Sequence, residues 1–281
     1  MDERALRFKA RLERDVLRHP VIVANPYTPW FRRGEFDDAH ARAFLIQFSV
    51  FSNQFLVAQL LKMLNADTVE EMRESKEILA NEIGVGYTGN GVGRRFRRGN
   101  AVGYGSPEDE LGAPEGTIEG GTFRFQAAHF ELLARMARQL GLRFGDLGKR
   151  RFGTPETLRF CDELIRLYGH DDYTIAAAAS WAVENWAAAG FWDELVEGWR
   201  RYAEHRGLAP FDIGFFTWHA KLERNHARHT DDELEHFLGS RPIDEDVFVE
   251  HARRMLDGVL VFWRGLDRLR IEHSGEAHHV A

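Results

Sequence analysis

Residues 215–229, FFTWHAKLERNHARH, decide how the rest of the chain is read, because His219, Glu223 and His226 stand four and three residues apart in an apolar-rich, helix-favouring context. At about 100° per residue, positions 0, 4 and 7 of a helix point within roughly 60° of one another, so two imidazoles and a carboxylate share one stripe. Neutral imidazole nitrogen and ionised carboxylate oxygen suit iron, manganese or zinc better than a thiolate-seeking ion. The plainer alternative is a solvated face on which Glu223 pairs with Lys221, Arg224 or Arg228. Two histidines and an acid on one stripe beside FFTW favour a metal. His229 falls off the stripe by about a quarter turn, where a cation suits the C-terminal end of a helix.

Outward from this segment, helical patterns recur. Residues 2–18 read as a charged amphipathic helix ended by Pro20, followed by the irregular NPYTPWFRRG of residues 25–34. Residues 37–65 begin on an Asp cap and are apolar almost all round in their second half, as a central buried helix is. Residues 67–83 follow, with Asp67 or Thr68 as cap and Gly84 and Gly86 as stops. Further helices are expected over 122–140, 154–168, 171–189, 191–206, 212–229, 231–238 and 244–271, divided by short turns bearing Gly, Pro or Asp. Strand signals are almost absent. Only residues 85–121 break the pattern: they are dense in glycine, lack helical periodicity and switch charge from RRFRR to EDELGAPEGTIEGG. They are read as a long insertion in one helical domain spanning 1–281, and loops of that length usually serve function.

Composition bounds the function. With 281 residues, 44% of them hydrophobic, the chain can bury a sizeable core. Its net charge of −7 gives no general attraction to nucleic acid or anionic membrane, so neither is expected as a partner. The amino terminus is charged throughout and no 18-residue apolar run follows, so the expected compartment is the cytoplasm. A single cysteine, Cys161, excludes an intrachain disulfide framework and reads as a small buried hydrophobe.

Further ligand candidates are polar residues on otherwise apolar helix faces. Glu184 sits in TIAAAASWAVENWAAAG, where an ionised carboxylate costs several kcal/mol unless a cation or dense hydrogen bonding compensates. An Arg from another helix would serve as well as a metal. Glu82 lies in EILANEIG and His129 in FRFQAAHFELL; taken singly, each reads as an ordinary helix-end acid and a core-edge histidine.

As an ordered set, Glu82, His129, Glu184, His219, Glu223 and His226 resemble the ligand series of the heme-oxygenase-like diiron oxidases. NEIG matches that family's first Glu motif, QAAHFELL its first His motif, AVEN its second Glu motif and FFTWHAKLERNH its terminal H-x3-D-x2-H motif, over about residues 35–270. Two features depart from the family pattern: Glu223 replaces the usual Asp, and 46 residues separate Glu82 from His129. The resemblance implies an all-α heme-oxygenase-like bundle of about seven core helices holding two iron ions. It further implies oxidation by dioxygen of a small organic substrate, an amine, amino acid or carboxylic acid. Phe51, Phe55, Trp181, Trp186, Phe215 and Phe216 would supply an apolar surround, though any one is more often plain core. Arg94, Arg95, Arg97 and Arg98 in the insertion are candidates for clamping an anionic substrate. An external electron donor and a homodimer are further expectations. Rival readings are a cofactor-independent oxidase or other metal-free enzyme on the same scaffold, and a non-catalytic metal-binding helical protein. A thiaminase-like hydrolase would need a cysteine in the AAAASWAVEN helix, and Cys161 lies on the preceding one. A ferritin-like pair of E-x-x-H units, Glu223 with His226 and Glu233 with His236, has too short a spacing for two bundle helices.

Overall fold

Capping chemistry sets where the helices begin. The computed structural model describes residues 3–89, 121–125, 128–221, 234–235, 237–239 and 241–277. Asp37 accepts hydrogen bonds from the amides of Ala39 and His40 and opens α4 (Asp38–Leu64), 27 residues and about 40 Å long. Thr68 and Glu71 form a reciprocal capping box at the start of α5 (Val69–Glu82). Thr154 caps α7 (Pro155–Tyr168) with proline at its first position, and Asp172 caps α8 (Tyr173–Ala187).

The amino-terminal part is more broken than its sequence suggests. In place of one helix over 2–18 and an irregular stretch, there are α1 (Glu3–Asp15), α2 (Pro20–Val23) and α3 (Tyr27–Phe31). Pro20 and Pro29 stand in first turns, where the missing amide proton has no intrahelical acceptor to lose. The described residues further contain α6 (His129–Gln139), α9 (Phe191–His205), α10 over 214–221 and the 33-residue α11 (Glu245–Ala277), which runs past the expected end at 271. Part of the expected 212–229 and 231–238 helices lies outside the described residues.

One expectation is corrected outright. Residues 122–125 are not the first turn of the expected 122–140 helix but part of a strand, β2 (Gly121–Phe125), paired antiparallel with β1 (Val85–Gly89). The sequence GTFRF places a β-branched and two aromatic residues in a short run after a double glycine, which suits a ladder better than a helix start. The insertion therefore opens and closes on paired strands, Val85 opposite Phe125 and Gly89 opposite Gly121.

α4 is the central element, packed against α5, α6, α7 and α11, while α11 also covers α7 and α8. Phe44, Phe48 and Phe51 line its inner face and meet Trp199 of α9, Phe216 of α10, Phe160 of α7 and Phe262 of α11 at ring separations of 5.0–5.9 Å. Such pairs contribute about 0.5–1.5 kcal/mol each beyond their burial. Polar residues on the same helix are spent on the backbone: Gln47 donates to the Phe152 carbonyl and accepts from Thr154 N, and Asn53 donates to the Gly148 carbonyl. Of the described helices, α4 alone is long and apolar enough to cross a membrane, and half of its most apolar window is buried inside the fold.

Candidate metal centre

Glu82 is the last residue of α5. Gly84 then takes φ +70°, a left-handed turn that costs glycine nothing, and the chain enters β1. After the insertion, β2 returns alongside β1, and His129 opens α6 four residues past Phe125. The ladder thus performs the loop closure that brings Glu82 and His129 together across 46 intervening residues.

His129 Nδ1 lies 2.8 Å from Glu82 Oε2, with the imidazole 5% and the carboxylate 17% exposed. The distance is that of an ion pair, yet the direction is not that of a hydrogen bond, and Nδ1 is buried with no hydrogen-bond partner. Two donor atoms facing one another this closely without a shared proton is the arrangement expected when both are aimed at a common cation.

His219 completes the cluster from α10. Its Nδ1 lies 2.7 Å from the carbonyl oxygen of Phe215, one helical turn back. A carbonyl only accepts, so Nδ1 carries the proton and Nε2 carries the lone pair, the tautomer a metal-binding histidine needs. One donor atom from each of Glu82, His129 and His219 falls within 4.8 Å of the others. Ligands bound to one ion at about 2.0–2.2 Å stand no more than about 4.4 Å apart, so the three donors would draw together slightly around a metal. One carboxylate oxygen with two imidazole nitrogens is a donor set for iron, manganese or zinc, so these three residues could hold one ion of the kind the sequence resemblance implies.

Aromatic rings wall the cluster. Trp192 stacks on His219 at 4.6 Å between ring centres, Phe215 lies 4.2 Å from the same ring, and Trp218 lies 4.1 Å from His129. Trp192 and Trp218 were not singled out from sequence. Trp218 is adjacent to His219 and so had a local signal, whereas Trp192 arrives from α9 and had none. Of the aromatic residues named in advance, Phe215 touches the cluster; Phe51, Trp186 and Phe216 belong to the core network.

Glu184 lies on α8, half-buried and partnered, and its carboxylate stands outside the cluster of three. Glu223 and His226 lie outside the described residues, as do Arg94, Arg95, Arg97 and Arg98. Cys161 is fully buried and burial pushes its thiol up to about 12, so it offers no nucleophile at neutral pH.

With this geometry in place, the chain has the heme-oxygenase-like fold. Its structure superposes on a TenA homologue from Pseudomonas syringae pv. tomato with a TM-score of 0.63 at 13% identity, over 93% of each chain. It matches a domain of unknown function with a heme oxygenase-like fold from Shewanella denitrificans at TM-score 0.60 and 15% identity, over 98% of this chain and 94% of that one. A CADD-like protein of unknown function from Nostoc punctiforme gives 0.59 at 16% identity, over 97% and 98%. No family model and no curated protein matches the sequence.

Proposed function

We propose that this chain is a non-heme diiron oxidase or oxygenase that uses dioxygen to oxidise a small organic substrate. The observation that carries this reading is the convergence of Glu82, His129 and His219 from three separate helices on one buried point. Those three residues would hold one ion, and Glu184, Glu223 and His226 would complete a second site. The chemistry a reduced iron pair supplies when bound is electron transfer to dioxygen, with an external donor restoring the ferrous state.

The chain's own residues perform the rest. The Phe215 carbonyl holds the proton on His219 Nδ1 and fixes the ring orientation, which leaves Nε2 as the atom that would coordinate a metal. Glu82 brings negative charge to a site that burial would otherwise make hostile to a cation. Trp192, Phe215 and Trp218 exclude bulk water from the two imidazoles, which strengthens every electrostatic interaction inside.

Anaerobic ferrous loading is expected to give two irons per chain, and subsequent exposure to air a transient visible absorption. His219→Ala is expected to weaken iron binding by more than about 100-fold while helicity by circular dichroism stays unchanged. Iron content equal to the parent protein in His219→Ala would refute the assignment.

A further inference from the structure

A second polar site lies one helical turn from Glu184, where the end of α4, the start of α5 and the middle of α8 meet. Lys62 of α4 is 5% exposed and its ammonium donates to Ser180 Oγ of α8 at 2.9 Å. Among the described residues no carboxylate pairs with Lys62. A buried ammonium has three protons to place and a charge to neutralise, and one hydroxyl satisfies neither requirement. The indole Nε1 of Trp181, in a side chain 7% exposed, is also buried without a hydrogen-bond partner. Lys62, Ser180 and Trp181 line one cavity of about 40 Å³, enough for a carboxylate group or two or three waters.

Neighbouring residues extend the same pattern. Gln59, three positions before Lys62 on α4, and Ser75, four positions after the lining residue Glu71 on α5, are fully buried with side-chain polar atoms unpaired. Each orphan is a group that a native interior normally satisfies. Two acids share the cavity wall, Glu71 and Glu74. Glu71 is already committed: one oxygen faces the Arg241 guanidinium and the other accepts from the amides of Asp67 and Thr68. The Arg241 guanidinium offsets the charge of Glu71, Lys62 is the cation on the cavity wall, and Tyr173 and Phe237 give the rest of the wall an apolar character.

We propose that this cavity binds the carboxylate of a small organic monocarboxylate, with Lys62 as its counter-ion and Ser180 and Trp181 as hydrogen-bond donors. The identification of that monocarboxylate as the substrate rests on the oxidase reading above. Ser180 precedes Glu184 by four residues and shares its helix face, so the cavity and Glu184 lie one turn apart along α8. Lys62 and Ser180 act here as positioning and binding groups, and no bond is made or broken at them.

The test uses the full chain freed of metal by chelation, titrated with acetate and butyrate, each beside its primary amide, and followed by ligand-observed NMR. Saturable binding of the carboxylates is expected, weaker by about tenfold or more for the amides and for carboxylates on Lys62→Met. Lys62→Met is further expected to melt no lower than the parent, because it removes an unpaired buried charge, and to retain iron binding. Ser180→Ala provides a milder variant with the same direction of effect. Equal affinity for acid and amide, undiminished carboxylate binding in Lys62→Met, or no saturable binding at millimolar carboxylate would each overturn the proposal. His219→Ala separates the two readings: it is expected to lose iron yet keep the carboxylate affinity, so failure of either reading shows without the other.

Discussion

His19 illustrates how one buried side chain couples a helix cap to pH. It is 6% exposed, its Nδ1 accepts from the Val21 amide at the start of α2, and its Nε2 donates to Asp257 of α11 at 3.1 Å. Burial lowers its pKa below the ordinary 6.5, and the opposing pull of Asp257 does not restore it. Because the folded-state value lies below the unfolded one, neutral His19 contributes stability that is fully present above pH 6.5 and fades as pH falls through the lower value. Thermal melts of the parent and His19→Asn are expected to differ most above pH 6.5 and to converge in acid; a gap that widens in acid would contradict this. Cys161 makes a second residue-scale case: with its thiol fully buried, it should resist thiol reagents in the folded chain and react once unfolded. Labelling of the native protein at the rate of a free thiol would show that the helix α7 packing is wrong.

At the scale of elements, close approach decides where glycine cannot be replaced. A Cβ at Gly198 of α9 would lie 2.4 Å from the carbonyl oxygen of Phe31 in α3, a backbone atom with no freedom to move aside. Gly198→Ala gains about 1 kcal/mol of helix propensity and forfeits roughly 1–3 kcal/mol to the overlap, so the variant is expected to be less stable in urea titration. An unchanged midpoint would mean that α3 and α9 sit further apart. The capping box of α5 offers a graded comparison. Thr68→Ala removes the acceptor for Glu71 N and is expected to cost about 1 kcal/mol, measured by the same titration. Both effects belong to single elements and leave the arrangement of the others alone. The β1–β2 ladder is different in kind: it stabilises little by itself, yet it sets the positions of Glu82 and His129.

Across the whole molecule, the candidate metal centre ties together parts of the chain that are far apart in sequence: the end of α5, the start of α6 and the second turn of α10. A ligand that binds only this folded arrangement stabilises it by mass action, by about 2.7 kcal/mol at a hundredfold excess over its dissociation constant. For a chain of this size that corresponds to a rise in melting temperature on the order of 5 °C, expected on anaerobic ferrous loading of the parent and absent in His219→Ala. The sequence by itself determined the helical class, the start of α4 at its Asp37 cap, the start of α5 to within the choice of Asp67 or Thr68, and the presence of His219 on an apolar face, because caps and 3.6-residue periodicity act within a few residues. It also marked residues 85–121 as a departure from that periodicity, though not the strands that bound it, since a ladder is a pairing between segments that local propensity reports only weakly. Only the tertiary structure decided that Glu82, His129 and His219 meet while Glu184 stands apart from them, that Trp192 covers His219, and that Lys62 is buried with no carboxylate paired to it among the described residues. Each of these is a distance between helices, and such distances are set by how side chains from distant parts of the chain fill one interior.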